Sequence, residues 1–117
     1  MDARGYLLAL HDALDEIRAL GASDESGDAS VALAAYSRYI SSLRALTPPG
    51  HLTEPHAALV AACQVMLSVL SDPVAQERLN AGVRNEQLDT AAQTGAVAAR
   101  RLQSEADALG LGGLWFV

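Results

Sequence analysis

The sequence predicts an all-α protein, folded over residues 1–117 as a single antiparallel, up-down four-helix bundle. Along its last quarter, apolar and small residues alternate at spacings of four and three, which places them on one stripe of a helix: Leu88, Ala92, Gly95, Ala99, Leu102, Ala106 and Leu109. Three earlier segments carry shorter versions of this spacing. Half of the residues are apolar but only 4% are aromatic, which favours closely packed helices over a β-sandwich.

Turn-forming residues delimit the first two helices. The first is predicted from about Asp2 to Leu20, with Gly21 as its C-cap and a polar loop from there to Asp28. The second runs from about Ala29 to Leu46, with Asp28 as its N-cap. It ends at Thr47-Pro48-Pro49-Gly50, because the residue before a proline avoids α geometry. The predicted buried stripes are Tyr6, Leu10, Ala13, Leu14, Ile17 and Leu20, and then Leu33, Tyr36, Ile40 and Leu43.

The third helix starts at Thr53 and is apolar almost all the way round, so it should be the most enclosed helix or face a partner subunit. Asp72 and Pro73 then favour a short extra helix to about Ala81, with one long helix bent at the proline as the alternative. The last helix runs from about Asn85 to Leu109, between an Asn85 N-cap and a Gly110 C-cap.

The charge pattern bears on the class of partner. The chain carries eight Arg, no Lys and a net charge of −6, and its only adjacent basic pair is Arg100-Arg101. Nucleic-acid binding needs a basic stripe that contacts phosphates. The sequence therefore predicts a protein that does not bind nucleic acid.

Three further features are read from the chain. The single Cys63 has no disulfide partner and no CxxC spacing for zinc, and it falls on an apolar stripe, so a buried core thiol is expected. The nearly apolar run Ala57–Leu70 is too short to span a bilayer. Because no signal peptide is visible at the N-terminus, the sequence leaves the compartment open.

Candidate binding residues lie on apolar surface. The last helix presents small residues that either pack closely against the third helix or form a groove for an apolar ligand. The tail after Gly110 ends in four large apolar residues that either fold back on the bundle or dock on a partner. The predicted ligand- or partner-binding residues are Met66, Val69, Gly95, Leu114, Trp115 and Phe116.

The predicted function is a non-enzymatic binding module that acts by burying apolar surface, either in a homo-oligomer, on another protein or around a small apolar ligand. No nucleophile and base stand at a recognisable spacing, and no cofactor is expected. The alternative is a metal- or haem-binding bundle, for which His11, His51 and His56 are the imidazole donors. Those donors are not in the Glu-x-x-His motifs of di-iron bundles.

One junction carries a resemblance. Leu43-Arg44-Ala45-Leu46-Thr47-Pro48-Pro49 followed by His56-Ala57-Ala58-Leu59 resembles a pattern of uncharacterised bacterial helical-bundle domains, often found after secretion or lipoprotein signals. Their last helix similarly carries an Ala-rich stretch with a Gly, here Ala91 to Gly95, before a turn like Ala106-Asp107-Ala108-Leu109. The resemblance implies a structural role for His56 beside the two prolines and an extracytoplasmic setting. It implies no activity, and this chain lacks the signal and the lipidatable N-terminal Cys.

Overall fold

The protein is all-helical over the residues that the structure, a computed structural model, describes: 2–23 and 29–116, with side-chain surroundings for 2–19 and 33–116. Four long helices and one short one follow each other along the chain, and a 3₁₀ turn at Gly50–Leu52 precedes the third helix. The helices are α1 (Ala3–Ser23), α2 (Ala29–Ala45), α3 (Thr53–Leu70), α4 (Pro73–Asn80) and α5 (Glu86–Ala108).

Side-chain caps begin the helices where the sequence predicts them. The Asp72 carboxylate accepts a hydrogen bond from the Val74 amide at 3.0 Å and begins α4 with Pro73 in its first turn, so the extra helix is separate from α3. The Asn85 side chain accepts from the Leu88 amide at 3.0 Å and begins α5. These bonds satisfy amides that have no partner inside the helix.

Glycines end α4 and α5, but not α1. Gly82 and Gly110 follow their helices with φ of +81° and +75°, a conformation that glycine adopts without strain. The predicted C-cap at Gly21 is wrong, because α1 continues to Ser23. The backbone of this segment keeps its helical hydrogen bonds where a glycine would permit a stop. The predicted Asp28 N-cap lies outside the described residues.

The large buried side chains come from α1, α2, the 3₁₀ turn, α5 and the tail, and they form one cluster. Its fully buried members are Tyr6, Leu7, Leu10, Leu43, Leu52 and Leu102, with Phe116 packed among them at 7% exposure. The predicted stripes of α1 and α2 supply much of it, with Leu7 and Tyr39 added from neighbouring positions. This cluster joins the N-terminal half of α1 to the C-terminal half of α5.

Small residues bring α3 and α5 together. Ala91 and Ala98 of α5 are buried, and a Cβ placed on Gly95 would lie 3.7 Å from the Ala62 Cβ of α3. The close packing predicted for the small residues of the last helix is therefore confirmed for Gly95. Ala92, by contrast, is exposed, so the buried face of α5 at this end is turned by one residue from the predicted stripe.

The α3 helix lies centrally among the described helices, with α2, α4 and α5 packed on it, but it is not enclosed all the way round. Its buried residues are Pro55, Ala62, Cys63 and Val69. Only 28% of its most apolar 18-residue stretch is buried. α2 and α5 pack on it, and α4 contacts it after the turn at Ser71, but Val65 stays 37% exposed.

By length and composition alone, the stretch Gly50–Leu70 is apolar enough to cross a membrane, with 21 residues and a mean hydropathy of 1.2. It is longer than the run Ala57–Leu70 that the sequence singled out, because it includes the 3₁₀ turn and the first turn of α3. Core helices of proteins without any membrane contact meet the same criterion, so this finding is weak evidence. The stretch also carries the exposed Glu54 in its first turn.

We expect opposite effects from one substitution at two glycines. Gly95→Ala should raise the free energy of unfolding by about 0.5–1 kcal/mol, because the new Cβ meets Ala62 at an ordinary contact distance and alanine is the better helix former. Gly82→Ala should lower it by about 1 kcal/mol, because its φ is positive. Urea denaturation followed by circular dichroism measures both. A destabilised Gly95→Ala protein would mean that the two helices approach more closely than this.

Candidate functional site: an apolar groove beside the C-terminal tail

An apolar groove of about 370 Å³ lies between α5 on one side and α1 and α2 on the other. Residues of α3 form its floor. It exists because α1 and α5 contact each other over only a short stretch, while α3 and α5 pack together along their length. We call it the inner groove. Its lining consists of Leu14, Tyr39, Leu59, Ala62, Cys63, Met66, Ala92, Gly95, Ala96, Ala99, Leu102 and Phe116.

Among the residues whose side chains the structure describes, no charged residue is part of this lining, and the polar side-chain atoms belong to Tyr39 and Cys63. Burial raises the pKa of the Cys63 thiol to about 11. Burial also raises the pKa of the Tyr39 hydroxyl, with a smaller contribution from the nearby thiol. Both groups are therefore neutral at pH 7, and the groove presents an uncharged surface to whatever enters it.

The C-terminal tail folds back beside the groove, as one of the two sequence interpretations expects. The Gln103 side chain holds it on both sides: its Nε2 donates to the Leu114 carbonyl and its Oε1 accepts from the Phe116 amide, each at 2.9 Å. The Phe116 ring then packs edge-on against His11, with ring centroids 5.8 Å apart. The tail thereby places one large apolar side chain in the lining of the inner groove.

The six predicted binding residues divide into two groups. Met66, Gly95 and Phe116 meet in the inner groove. Val69 is buried but is not part of that lining, Leu114 packs half-buried against the core cluster, and Trp115 points outward with 66% of its surface exposed. Three of the six predicted binding residues therefore lie in the inner groove and three lie outside its lining.

Sequence reasoning missed several residues of this site. Leu14, Tyr39, Leu59 and Cys63 were assigned to the core, and they do pack there while one side of each borders the groove. No sequence signal marks Gln103, because a glutamine on a half-exposed helix face is commonplace. Its role follows only from the position of the tail.

The three histidines do not converge. His56 Nδ1 lies 2.8 Å from the Tyr6 hydroxyl, His51 Nε2 lies 2.9 Å from Glu105, and His11 Nδ1 lies 3.4 Å from Asp15. Within residues 2–23 and 29–116, no group of three or more His, Cys, Asp or Glu side chains is arranged to hold a metal ion. His56 and His51 instead each contact a side chain of another helix, and His11 contacts a side chain one turn farther along its own helix.

The Tyr6–His56 contact ties α1 to the start of α3. The phenol of Tyr6 is fully buried, and its hydroxyl shares a hydrogen bond with an imidazole that is itself half-buried. Burial lowers the pKa of His56, and a hydrogen bond to the Leu43 backbone opposes that shift only in part. The ring is therefore neutral at pH 7, and its Nδ1 shares a hydrogen bond with the Tyr6 hydroxyl.

A second, shallower groove follows the opposite side of the α3–α5 pair, and we call it the outer seam. It comprises two adjoining cavities of about 470 and 350 Å³ that share Thr94. Its residues from α3 are Glu54, Pro55, Ala58, Ala61, Ala62, Val65 and Ser68, and those from α5 are Glu86, Gln87, Thr90, Ala91, Gln93, Thr94, Val97, Ala98 and Arg101.

Comparison of the chain with protein-family profiles, with curated proteins and with solved structures finds no match in any of the three. The functional argument therefore rests on the geometry described above.

We expect Gln103→Ala to release the tail. The substitution removes the acceptor of the Phe116 amide and the donor to the Leu114 carbonyl, a loss of about 1–2 kcal/mol that corresponds to roughly tenfold faster exchange of the Phe116 amide hydrogen. Amide hydrogen exchange by NMR measures it. Gln93→Ala, at an exposed glutamine of the same helix, is the control and should leave that rate unchanged. Equal protection in both variants would show that packing of Phe116 alone holds the tail.

The Tyr6–His56 contact predicts a pH dependence of stability. Because the folded-state pKa of His56 lies below its ordinary value of 6.5, the unfolded chain binds a proton that the folded protein excludes. Stability should therefore fall as the pH drops below 6.5, until the folded-state pKa is reached. His56→Gln should show a flatter profile over this interval and a constant offset at pH 8. Parallel profiles in urea denaturation would contradict the assignment.

Proposed function

We propose that the protein is a non-enzymatic binding module whose inner groove holds a small, uncharged, apolar ligand. We further propose that α1, α2, α3 and α5 form an antiparallel up-down bundle, with α4 as part of the connection between its last two members. The observation that carries the functional proposal is the lining of the groove, which draws on four helices and the tail and, among the described side chains, contains no charged one.

The size and chemistry of the inner groove support a ligand of this kind. Ligand sites usually occupy about 300–1,000 Å³ and are lined mainly by apolar side chains. At about 370 Å³ the groove suits a molecule of one to three rings or a short hydrocarbon chain. Water is a poor occupant, because an ordered water needs two to four polar partners. The described side chains of the lining offer the Tyr39 hydroxyl and the Cys63 thiol and no other hydrogen-bonding group.

The walls of the groove also support binding with adjustable fit. Met66 is unbranched and fills irregular spaces, while Ala92, Gly95, Ala96 and Ala99 form a flat wall on α5. Phe116 borders the groove from the tail, where its ring contacts His11 and its amide is bonded by Gln103. A ligand therefore meets a flat wall on α5 and one side chain, Met66, that adapts to its shape.

A larger side chain in the inner groove should weaken ligand binding. Ala96→Leu places a larger side chain on the α5 wall at an exposed lining position, so it should weaken binding of the uncharged fluorescent probe N-phenyl-1-naphthylamine by roughly tenfold or more. Ala108→Leu makes the same change at an exposed position of α5 outside the lining and should leave the affinity unchanged. Fluorescence titration of the full chain measures both.

The only thiol of the chain provides an independent readout at the same site. Cys63 lines the groove, so bound probe should slow its modification by a methanethiosulfonate reagent. Absence of probe binding to the unmodified protein, or equal binding by the Ala96→Leu and Ala108→Leu variants, would refute the proposed ligand site.

A further inference from the structure

We infer that Phe116 closes one end of the inner groove and sets the length of the hydrocarbon chain that the groove accepts. The ligand is then an uncharged molecule with one unbranched alkyl chain, whose methyl end lies against the Phe116 ring. This inference rests on the proposed function, because it names the chemistry of the ligand and the residue that selects its length.

The first observation is the elongated shape of the groove along α5. Its α5 residues extend from Ala92 to Leu102, which is roughly 15 Å at the helical rise of 1.5 Å per residue. The α5 positions between them are Gly95, Ala96 and Ala99, so no long side chain of this wall divides the groove. A space of about 370 Å³ spread over this length suits one extended chain better than a compact ring system.

The second observation is that the groove is closed at its Leu102 end. Exposure falls along the α5 wall, since Ala92 and Ala96 are exposed, Ala99 is half-buried and Leu102 is fully buried. About one turn beyond Leu102 lies Ala106, which is fully buried in the core cluster. A ligand that extends towards Leu102 therefore meets packed side chains, while its other end stays near exposed residues.

Phe116 stands at this closed end, and it is the lining residue that comes from the tail. Its amide is bonded to Gln103, the neighbour of Leu102 on α5, and its ring contacts His11. His11 precedes the lining residue Leu14 by about one turn of α1. Because Phe116 belongs both to the core cluster and to the lining, its ring forms the boundary between the two.

The chemistry of the closed end determines which end of a ligand lies there. The side chains of Ala99, Leu102 and Phe116 carry no polar atom. A hydroxyl group placed among them would lose its hydrogen bonds to water and gain none from these side chains. The methyl end of an alkyl chain therefore lies against Phe116, and the polar end lies near the exposed residues of the α5 wall.

Selectivity for chain length tests the inference. Straight-chain primary alcohols from hexanol to tetradecanol compete with N-phenyl-1-naphthylamine for the full chain. Their affinity should rise by roughly three- to fourfold per methylene up to a limiting length and then stop rising. Phe116→Ala should move this limit to chains about two to four methylenes longer, because the space of the ring joins the groove. Just beyond the wild-type limit, this variant should bind roughly tenfold more tightly than the wild-type protein.

Two further variants separate the effect of the ring from effects on folding and on the tail. Phe116→Leu keeps an apolar side chain in the core cluster and should move the limit by about one or two methylenes. Trp115→Ala changes the neighbouring residue, which is 66% exposed and lies outside the lining, and should leave the limit unchanged. Circular dichroism checks that all variants remain folded.

The possible failures of the inference and of the proposed function differ. The same limit in the wild-type protein and in both Phe116 variants would overturn the inference, while displacement of the probe would still support the ligand site. A shift in Trp115→Ala equal to that in Phe116→Ala, or a wild-type affinity that rises up to the longest alcohol, would also overturn it. If neither the probe nor the alcohols bind the wild-type protein, the proposed function fails and the inference fails with it.

Discussion

The close approach of α3 and α5 is the constraint on which the rest of the structure depends. Ala62, Ala91, Gly95 and Ala98 leave no side chain long enough to separate the two helix backbones. The two helices therefore pack along most of their length, and the remaining helices take positions around that pair. Small side chains also fill little volume beyond the contact itself. Space consequently remains on both sides of the pair, as the inner groove and the outer seam.

The scarcity of aromatic residues decides where that space lies. The chain has three Tyr, one Phe and one Trp. Tyr6, Tyr39 and Phe116 are all buried in the core cluster, which joins the start of α1 to the end of α5. Farther along α5, towards its N-terminus, alanine and glycine must fill the interior instead. Because close packing requires volume as well as apolar character, this part of the protein retains a groove.

Local chemistry made the all-helical character and several helix ends predictable from the sequence. Two N-caps, Asp72 and Asn85, begin helices through bonds to nearby amides. Two glycines with positive φ, Gly82 and Gly110, follow helix ends. These effects are local, so they can be predicted without knowing any distant contact. The exact face of α5 could not be predicted in the same way. Residues 91 and 92 are both alanine, and so are 98 and 99, so hydrophobicity does not distinguish the two faces. Contact with α3 buries Ala91 and Ala98 and leaves Ala92 exposed.

The candidate site was harder to predict. Its residues border an open space between several elements, and hydrophobic periodicity does not show where neighbouring elements leave such a space. Met66 and Gly95 stand on stripes that sequence periodicity reveals, so their place in the groove follows from the helices. Trp115 and Phe116 are neighbours of similar hydrophobicity, yet one is 66% exposed and the other 7%. The hydrogen bonds of Gln103 to the tail set this difference, and a bond between residues 13 positions apart on a helix and a tail leaves no periodic trace.

The two grooves are linked through one shared wall. Ala62 belongs to the lining of both, and Gly95 packs against it from the inner side. Alanine and glycine have no side-chain rotamers that could absorb a change on one side. A change in the distance between α3 and α5 would therefore alter both grooves together.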